Sequence, residues 1–405
     1  MWNSSVWENW LDRILRDLVR LGTLRTTYPS GRTESYGTGA PVVPITLDDP
    51  ALPRRLILNP DLALGEAYMD GTLRIGQDDL YGLLSLILTN LGPHRTLRQH
   101  RPIDFLRRLA RGVLQFNPIP RAQRNVAHHY DLSGDLYDLF LDDDRQYSCA
   151  YFKTPQDSLE HAQTQKKAHI ARKLLLKPGM SVLDIGCGWG GLALTLARDH
   201  GVNVVGVTLS REQYAVASRR AQEQGLANQV EFRLQDYRHV PEQYDRIVSV
   251  GMFEHVGAPH FRTFFRGLNK RLRRDGIALL HTIGRSGPPS VTSPWINKYI
   301  FPGGYVPALS ETASAIEQER LRITDVEVLR LHYAQTLKHW HDRFMTNIDA
   351  ASALYDARFC RMWRFYLVAS ELTFRLRDQV VFQIQLSHDQ TAVPLTRDYL
   401  YPHGT

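Results

Sequence analysis

Residues 182–191, VLDIGCGWGG, set the tightest limit on what this chain can fold into. Val182, Leu183 and Ile185 make a short apolar run, Gly186, Gly188, Gly190 and Gly191 break it, and LALTLARDH follows at helical spacing. The pattern predicts a strand, a tight turn and a helix. Glycines at alternate positions let the backbone approach a ligand, and the helix N-terminus behind them offers free N–H groups and a partial positive charge. A nucleotide-like ligand is expected there. A dinucleotide enzyme would place an acid about 20 residues on, at the end of the next strand, for the ribose hydroxyls. Here that strand, VNVVGVTLS, ends at Thr208 without one. This counts against NAD, whereas Asp184 at the end of the first strand suits the methionine-derived amino group of S-adenosylmethionine (SAM).

The strand and helix rhythm repeats downstream. VLDIG, NVVGVTLS, QVEFRLQDY, YDRIVSVGMFEHVG and GIALLHTIG are separated by helical stretches, which predicts an α/β doubly wound parallel sheet. Ligands of such sheets lie at the C-terminal strand ends. Those ends nominate Asp184 to Gly190, Thr208 to Gln213, Gln235 to Tyr237, Glu254-His255 and His281 to Ile283. Any one of these polar groups could be a loop or capping residue; strand after strand pointing them at one rim is harder to dismiss.

With 405 residues and 43% apolar content, two globular domains are expected. In the N-terminal part, residues 6–21 carry Val6, Trp10, Ile14, Leu18 and Leu21 at helical spacing, an amphipathic helix that covers its own domain's core in preference to entering a membrane. LRTTY and TESYG around Pro29-Ser30-Gly31-Arg32 read as a hairpin, PVVPITL and RRLIL as further short strands, and ALGEAYMDG and LYGLLSLILTNL as helices. A small α+β domain is expected. The N-terminus has no signal-type apolar block and no run is long enough for a membrane span, so a cytoplasmic protein is expected. Cys149, Cys187 and Cys360 are too scattered for a disulfide framework or a zinc site, and no metal is expected.

A net charge of +7 calls for an anionic partner. Its densest source is residues 94–124, where Arg95, Arg98, Arg101, Arg107, Arg108, Arg111, Arg121 and Arg124 face the single acid Asp104 around an apolar stripe of Ile103, Leu106, Leu109, Ala110, Val113 and Leu114. Such a helix suits an anionic membrane surface; the alternative is a linker helix docked on the second domain with a solvated basic rim. Nucleic acid is disfavoured, because the stretch holds no binding motif and few aromatics for stacking. Asn117-Pro118-Ile119-Pro120 closes it, giving expected domains 1–120 and 121–405.

The blocks ALGEAYMDG, HHYDLSGDLYDLFL, YSCAYF, VLDIGCGWGG, TLSREQ, GMFEHVG, LLHTIG, PWINKYIFPGG and YAQTLKHWHDRF, in order from about residue 60 to residue 387, resemble the cyclopropane-fatty-acyl-phospholipid synthase family, which includes the mycolic acid cyclopropane synthases. The resemblance implies a class I SAM-dependent methyltransferase fold behind a lipid-engaging N-terminal domain, often as a homodimer. It implies transfer of a methylene unit from SAM to a cis double bond of an unsaturated phospholipid chain, through a carbocation that a bound bicarbonate deprotonates. The bicarbonate cradle maps onto Cys149, Glu254, His281, Ile283 and Tyr333, with Cys149 and Ile283 acting through backbone groups. For SAM the resemblance nominates Tyr147, Ser148, Asp184, Gly186, Cys187, Gly188, Gly190, Thr208, Leu209, Ser210, Gln213, Asp236 and Tyr237, with Gln213 for the ribose.

Taken singly, Cys149 would be a small core residue, Glu254 a strand-end cap, His281 a satisfied interior histidine and Tyr333 a packing group; their places inside family blocks favour the functional assignment. Where several family members carry a cysteine in the late helix YLVASELTFR, this chain has Ser370, which puts a nucleophilic thiol there in doubt. Trp363, Phe365, Tyr366 and Phe374 of that helix either line an acyl tunnel or pack a core. Two other outcomes stay open: a related transferase that leaves a methylene or methyl branch, and a non-catalytic lipid carrier, against which the intact glycine loop, Glu254, His281 and Tyr333 argue.

Overall fold

The computed structural model describes residues 4–92 and 134–401. The chain forms two compact units. The first takes the described part of Met1–Leu106 together with Thr292–Phe301 and Leu337–Asp378; the second takes the described part of Arg107–Val291 with Pro302–Thr336 and Gln379–Thr405. The two late segments of the first unit were expected in the second domain. The arginine-rich stretch at 94–124 and the boundary near residue 120 lie outside the described residues.

In the first unit the helix Ser4–Leu18 leads into strands β1 (Leu21–Thr27), β2 (Thr33–Leu47) and β3 (Leu73–Ile75). The hairpin expected at Pro29 to Arg32 is present, with the Gly31 N–H donating to the Tyr28 carbonyl at 2.8 Å. TESYG and PVVPITL are one strand, not two, and it doubles back between Gly37 and Pro41 so that Thr23 pairs with both Gly37 and Val42. RRLIL, expected as a strand, lies in the helix Leu52–Leu58. Pro53 in the first turn starts that helix, and a short apolar run carries no period of its own to contradict it. The helix Ala357–Leu376 buries Trp363, Phe365, Tyr366 and Phe374 in this unit. Phe365 packs on Trp295 with ring centroids 4.7 Å apart, and Trp295 in turn donates to Met69 Sδ at 3.3 Å.

The second unit is built on a sheet in the order β6-β5-β4-β7-β8-β10-β9. Its strands are β4 (Ser181–Ile185), β5 (Asn203–Thr208), β6 (Val230–Leu234), β7 (Tyr244–Val250), β8 (Leu272–Arg285), β9 (Arg322–Val328) and β10 (Gln379–Ser387). The first five in chain order are the expected ones and pair in parallel. β10 and β9, not expected, extend the sheet antiparallel. Alternate residues feed two cores: Leu183, Ile185, Ala278 and Leu280 join one, Val182, Val204, Val248 and Leu279 the other. Both faces are thus covered, as a doubly wound sheet requires. The chain leaves β4 for β5 and β6 and returns on the other side with β7, so the switch point where such sheets bind ligands lies at the end of β4. Among the described residues, no helix is long and apolar enough to cross a membrane.

Candidate active site

The ends of β4, β5, β6 and β7 open onto one cavity. Of the residues expected to hold SAM, Tyr147, Ser148, Asp184, Gly186, Cys187, Gly188, Thr208, Leu209, Gln213, Asp236 and Tyr237 line it, whereas Gly190 and Ser210 cap helices beside it. Gly190 turns the chain into the helix Gly191–His200 with φ of 84°. A Cβ at that place would come within 2.6 Å of the Phe232 ring. The Ser210 hydroxyl accepts from the Gln213 N–H at 3.3 Å and caps Arg211–Glu223. Thr208 donates its hydroxyl to Gln213 Oε1 at 2.9 Å, so what Gln213 can turn to a ribose is its amide nitrogen. Asp236 is held by Arg238, whose guanidinium bonds it at 2.8 and 2.7 Å. Burial works to raise that carboxyl, but the Arg238 bonds outweigh it and keep Asp236 below its ordinary value.

Asp184 is the chemically distinctive residue of the cavity. Burial pushes its carboxyl up to about 7, against the pull of the Lys166 charge, and its Oδ2 is buried without a hydrogen-bond partner. An unpartnered buried carboxylate oxygen is costly unless a cationic group comes to meet it. Gly188, with φ of 55°, has open space where a Cβ would stand. An acid awaiting a cation beside a bare backbone fits SAM, which joins an α-ammonium to a nucleoside. Gly188→Val fills that space with a branched side chain in a left-handed backbone conformation. It is expected to lower the melting temperature by only a few degrees, from roughly 1–2 kcal/mol of strain, and to abolish SAM binding in calorimetry; undiminished affinity in the folded variant would remove the ligand from the loop.

The residues expected to hold the base stand apart from the lining of this cavity. Glu254 follows β7 in the short 3-10 turn Phe253–His255 and is buried. The Ile283 N–H donates to its Oε1 at 2.7 Å, while Oε2 is buried and unpartnered. Burial pushes this carboxyl up to about 7, against the Ile283 hydrogen bond. His281, two residues before Ile283 on β8, is also buried; burial first, and the charges of Lys166 and Lys173 after it, hold it well below its ordinary value and therefore neutral. Its Nδ1 lies 3.1 Å from Gln383 Nε2 on the paired strand β10. Ile283 was expected to serve an anion through its backbone, but its N–H is already taken by Glu254. Cys149 is buried with its thiol pushed up by burial, and the neighbouring Ala150 N–H donates to Thr336 Oγ1 at 3.0 Å. That bond ties the Cys149 segment to the first turns of His332–Thr346, the helix that carries the buried Tyr333.

Trp189, within the nominated stretch Asp184 to Gly190, lines the cavity, and other residues of the site were not anticipated. Gln146 lines it too, and Lys166 reaches both Gln146 and Ser148 from behind. Gln383 was invisible because β10 was.

A family profile described as mycolic acid cyclopropane synthetase matches residues 119–384. The chain belongs to the mycolic acid cyclopropane synthetase family. A second profile, for a domain of unknown function, matches residues 10–91. This synthetase-family chain is 41% identical over 351 residues to cyclopropane-fatty-acyl-phospholipid synthase of Escherichia coli (strain K12), covering 86% of the chain and 89% of that protein. It is 36% identical over 381 residues to tuberculostearic acid methyltransferase UfaA1 of Mycobacterium tuberculosis, covering 90% and 87%. Among solved structures, mycolic acid cyclopropane synthase CmaA1 complexed with SAH and CTAB superposes with a TM-score of 0.63 at 33% identity, over 67% of this chain and 99% of that one. Coclaurine N-methyltransferase, at 19% identity and a TM-score of 0.66, shares the fold alone. The fold is that of the class I SAM-dependent methyltransferases.

Proposed function

We propose that this chain transfers a methylene unit from SAM to the cis double bond of unsaturated phospholipid acyl chains, forming a cyclopropane ring, with a bicarbonate held by Cys149, Glu254, His281 and Tyr333 and with Ile283 supporting Glu254. The observation that carries the acid–base part is Glu254: a buried carboxyl poised at about 7, one oxygen fixed by the Ile283 N–H and the other unpartnered. Bound SAM would supply an electrophilic methyl group, and bound bicarbonate a base small enough to fit a dry pocket. The protein's own part is to hold that anion. A neutral His281 donates a hydrogen bond without adding a second titrating charge, and Glu254, poised between its two forms at neutral pH, shares a proton with an anion in place of repelling it. Since the Ile283 N–H is occupied, its service is indirect: it orients Glu254. Identity to the Escherichia coli synthase over most of both chains supports the phospholipid substrate. Docking on an anionic membrane surface from the cytoplasmic side and assembly as a homodimer belong to the same proposal.

Incubation with SAM and monounsaturated phospholipid vesicles tests it. The expected acyl product gains one CH₂, resists ozonolysis and shows cyclopropane proton resonances upfield of the ordinary methyl signal. The second reading, a methylene or methyl branch, is favoured by the likeness to the tuberculostearic acid methyltransferase. An ozone-sensitive product, or a saturated methyl branch, would select it.

A further inference from the structure

Lys166 has no place in the chemistry above, yet it is 1% exposed on the helix Leu159–Leu174 and sits behind the wall of the cofactor cavity. Its ammonium donates to Gln146 Oε1 at 2.6 Å and to Ser148 Oγ at 2.8 Å. Both acceptors line the cavity. Among the described residues no carboxylate lies within ion-pair distance of Lys166. Asp144 is engaged by Lys167 and Arg220, and Asp142 accepts from the Gln146 N–H at 2.9 Å. Burial lowers Lys166 only to about 8, so the ammonium stays largely charged at neutral pH.

Donor counting gives this contact a direction. An ammonium has donors and no acceptor, so Ser148 Oγ and Gln146 Oε1 can only accept from it. Gln146 spends one of its two amide hydrogens on Asp144 Oδ2 at 3.0 Å, and that bond turns the amide toward Asp144. Ser148 keeps its hydroxyl hydrogen, on a residue that faces the cavity. A hydroxyl obliged to donate outward, with a buried positive charge behind it, is a station for an anion. Asp184, on the same cavity, is a station for a cation. A ligand that carries both charges close together is an α-amino acid.

We propose that Lys166 is a positioning residue that compels Ser148 to donate its hydroxyl hydrogen to the α-carboxylate of SAM, while Asp184 receives the α-ammonium. This rests on the cavity being the SAM site, and the test separates the two. Calorimetry on the full chain compares SAM, decarboxylated SAM and 5′-methylthioadenosine. The wild type is expected to prefer SAM to its decarboxylated analogue. Lys166→Met keeps an unbranched stem without the charge; SAM affinity should fall roughly ten- to hundredfold, with decarboxylated SAM and methylthioadenosine little changed, so the preference collapses. Equal weakening of all three ligands would mean that Lys166 only supports the wall, and an undiminished preference would mean that it does not act on the carboxylate; either overturns the proposal. Should Lys166→Met show no cooperative melt, Ser148→Ala must erase the same preference, and its retention overturns the proposal as well. A wild type that binds methylthioadenosine and decarboxylated SAM as tightly as SAM refutes the carboxylate station, whereas one that binds none of them removes the cofactor site itself.

Discussion

Glu254→Gln is expected to lower kcat by roughly 10²–10⁴-fold, the range for loss of a positioned acid–base group, and to leave the SAM dissociation constant within about twofold of wild type. The separation follows from placement. Glu254 does not line the cavity at the glycine loop where SAM is proposed to bind, and glutamine can still accept the Ile283 N–H through its amide oxygen, so the local fold survives. What glutamine cannot do is exchange a proton. Because burial raises Glu254 to about 7, the wild-type rate should rise with pH through that value as the ionised form appears, and the variant should lack this limb. His281→Ala should behave alike in kcat, having lost the neutral donor. Added bicarbonate should restore the rate of wild type in carbonate-free buffer but not that of either variant. Near-wild-type turnover in both would show that the anion is held elsewhere.

What could be read from the sequence was whatever local chemistry dictates. The turn after β4 needs residues that tolerate positive φ and a backbone that can be approached, and the glycines of VLDIGCGWGG declare both. The five parallel strands declare themselves because strands buried on two faces read as continuous apolar runs. β10 breaks that rule: it carries Gln383 and Gln385 in its interior, both fully buried, because each meets a partner on a neighbouring element, Gln383 at His281 and Gln385 at the Lys173 carbonyl, 2.6 Å away. Buried polar groups of this kind find their partners far off in sequence, and no local pattern announces them. The helix Leu159–Leu174 is the extreme case. It buries Gln163, Gln165, Lys166, Lys167, His169 and Lys173, and by hydropathy alone it would be placed at the surface. Gln163 donates to the Gln146 and Ser148 carbonyls, and Lys173 pairs with Glu327 at 2.5 Å. The helix is the polar support of the cavity wall, legible only once the fold has brought its partners to it. The same limit hid the two late segments of the first unit: Trp295 is an unremarkable aromatic until Gly65, where a Cβ would come within 2.3 Å of its indole nitrogen, is seen to make room for it.

Asp184→Asn should yield a protein that is more stable than wild type without ligand and that binds SAM far more weakly. In the folded chain the Asp184 carboxyl is raised from 3.8 to about 7 by burial. A raised carboxyl favours the protonated form in the native state, so its contribution to stability is complete below pH about 4, declines as pH rises toward 7, and above that is a constant cost. At about 1.4 kcal/mol for each tenfold change in the protonation equilibrium, the ceiling is roughly 4 kcal/mol, and a realised gain of about 1–3 kcal/mol for asparagine at pH 7.5 allows for relaxation around the site. Below pH 4 the two proteins should melt together. Between pH 4 and 7 the wild-type melting temperature should fall relative to the variant's as pH rises; Glu254, raised by burial, and the buried His255 and His281, held below their ordinary value, add slopes of opposite sign that both proteins share and that cancel in the difference. SAM reverses the order. In the proposed arrangement its ammonium pairs with Asp184 Oδ2, so SAM at a concentration that saturates the wild type should raise the wild-type melting temperature well above the smaller rise of the variant, with affinity lower by roughly a hundredfold for the loss of a buried charge pair. A variant less stable than wild type at pH 7.5 would mean that the unpartnered carboxylate is no burden to the fold, and an unchanged SAM affinity would mean that the burden is not kept for the cofactor.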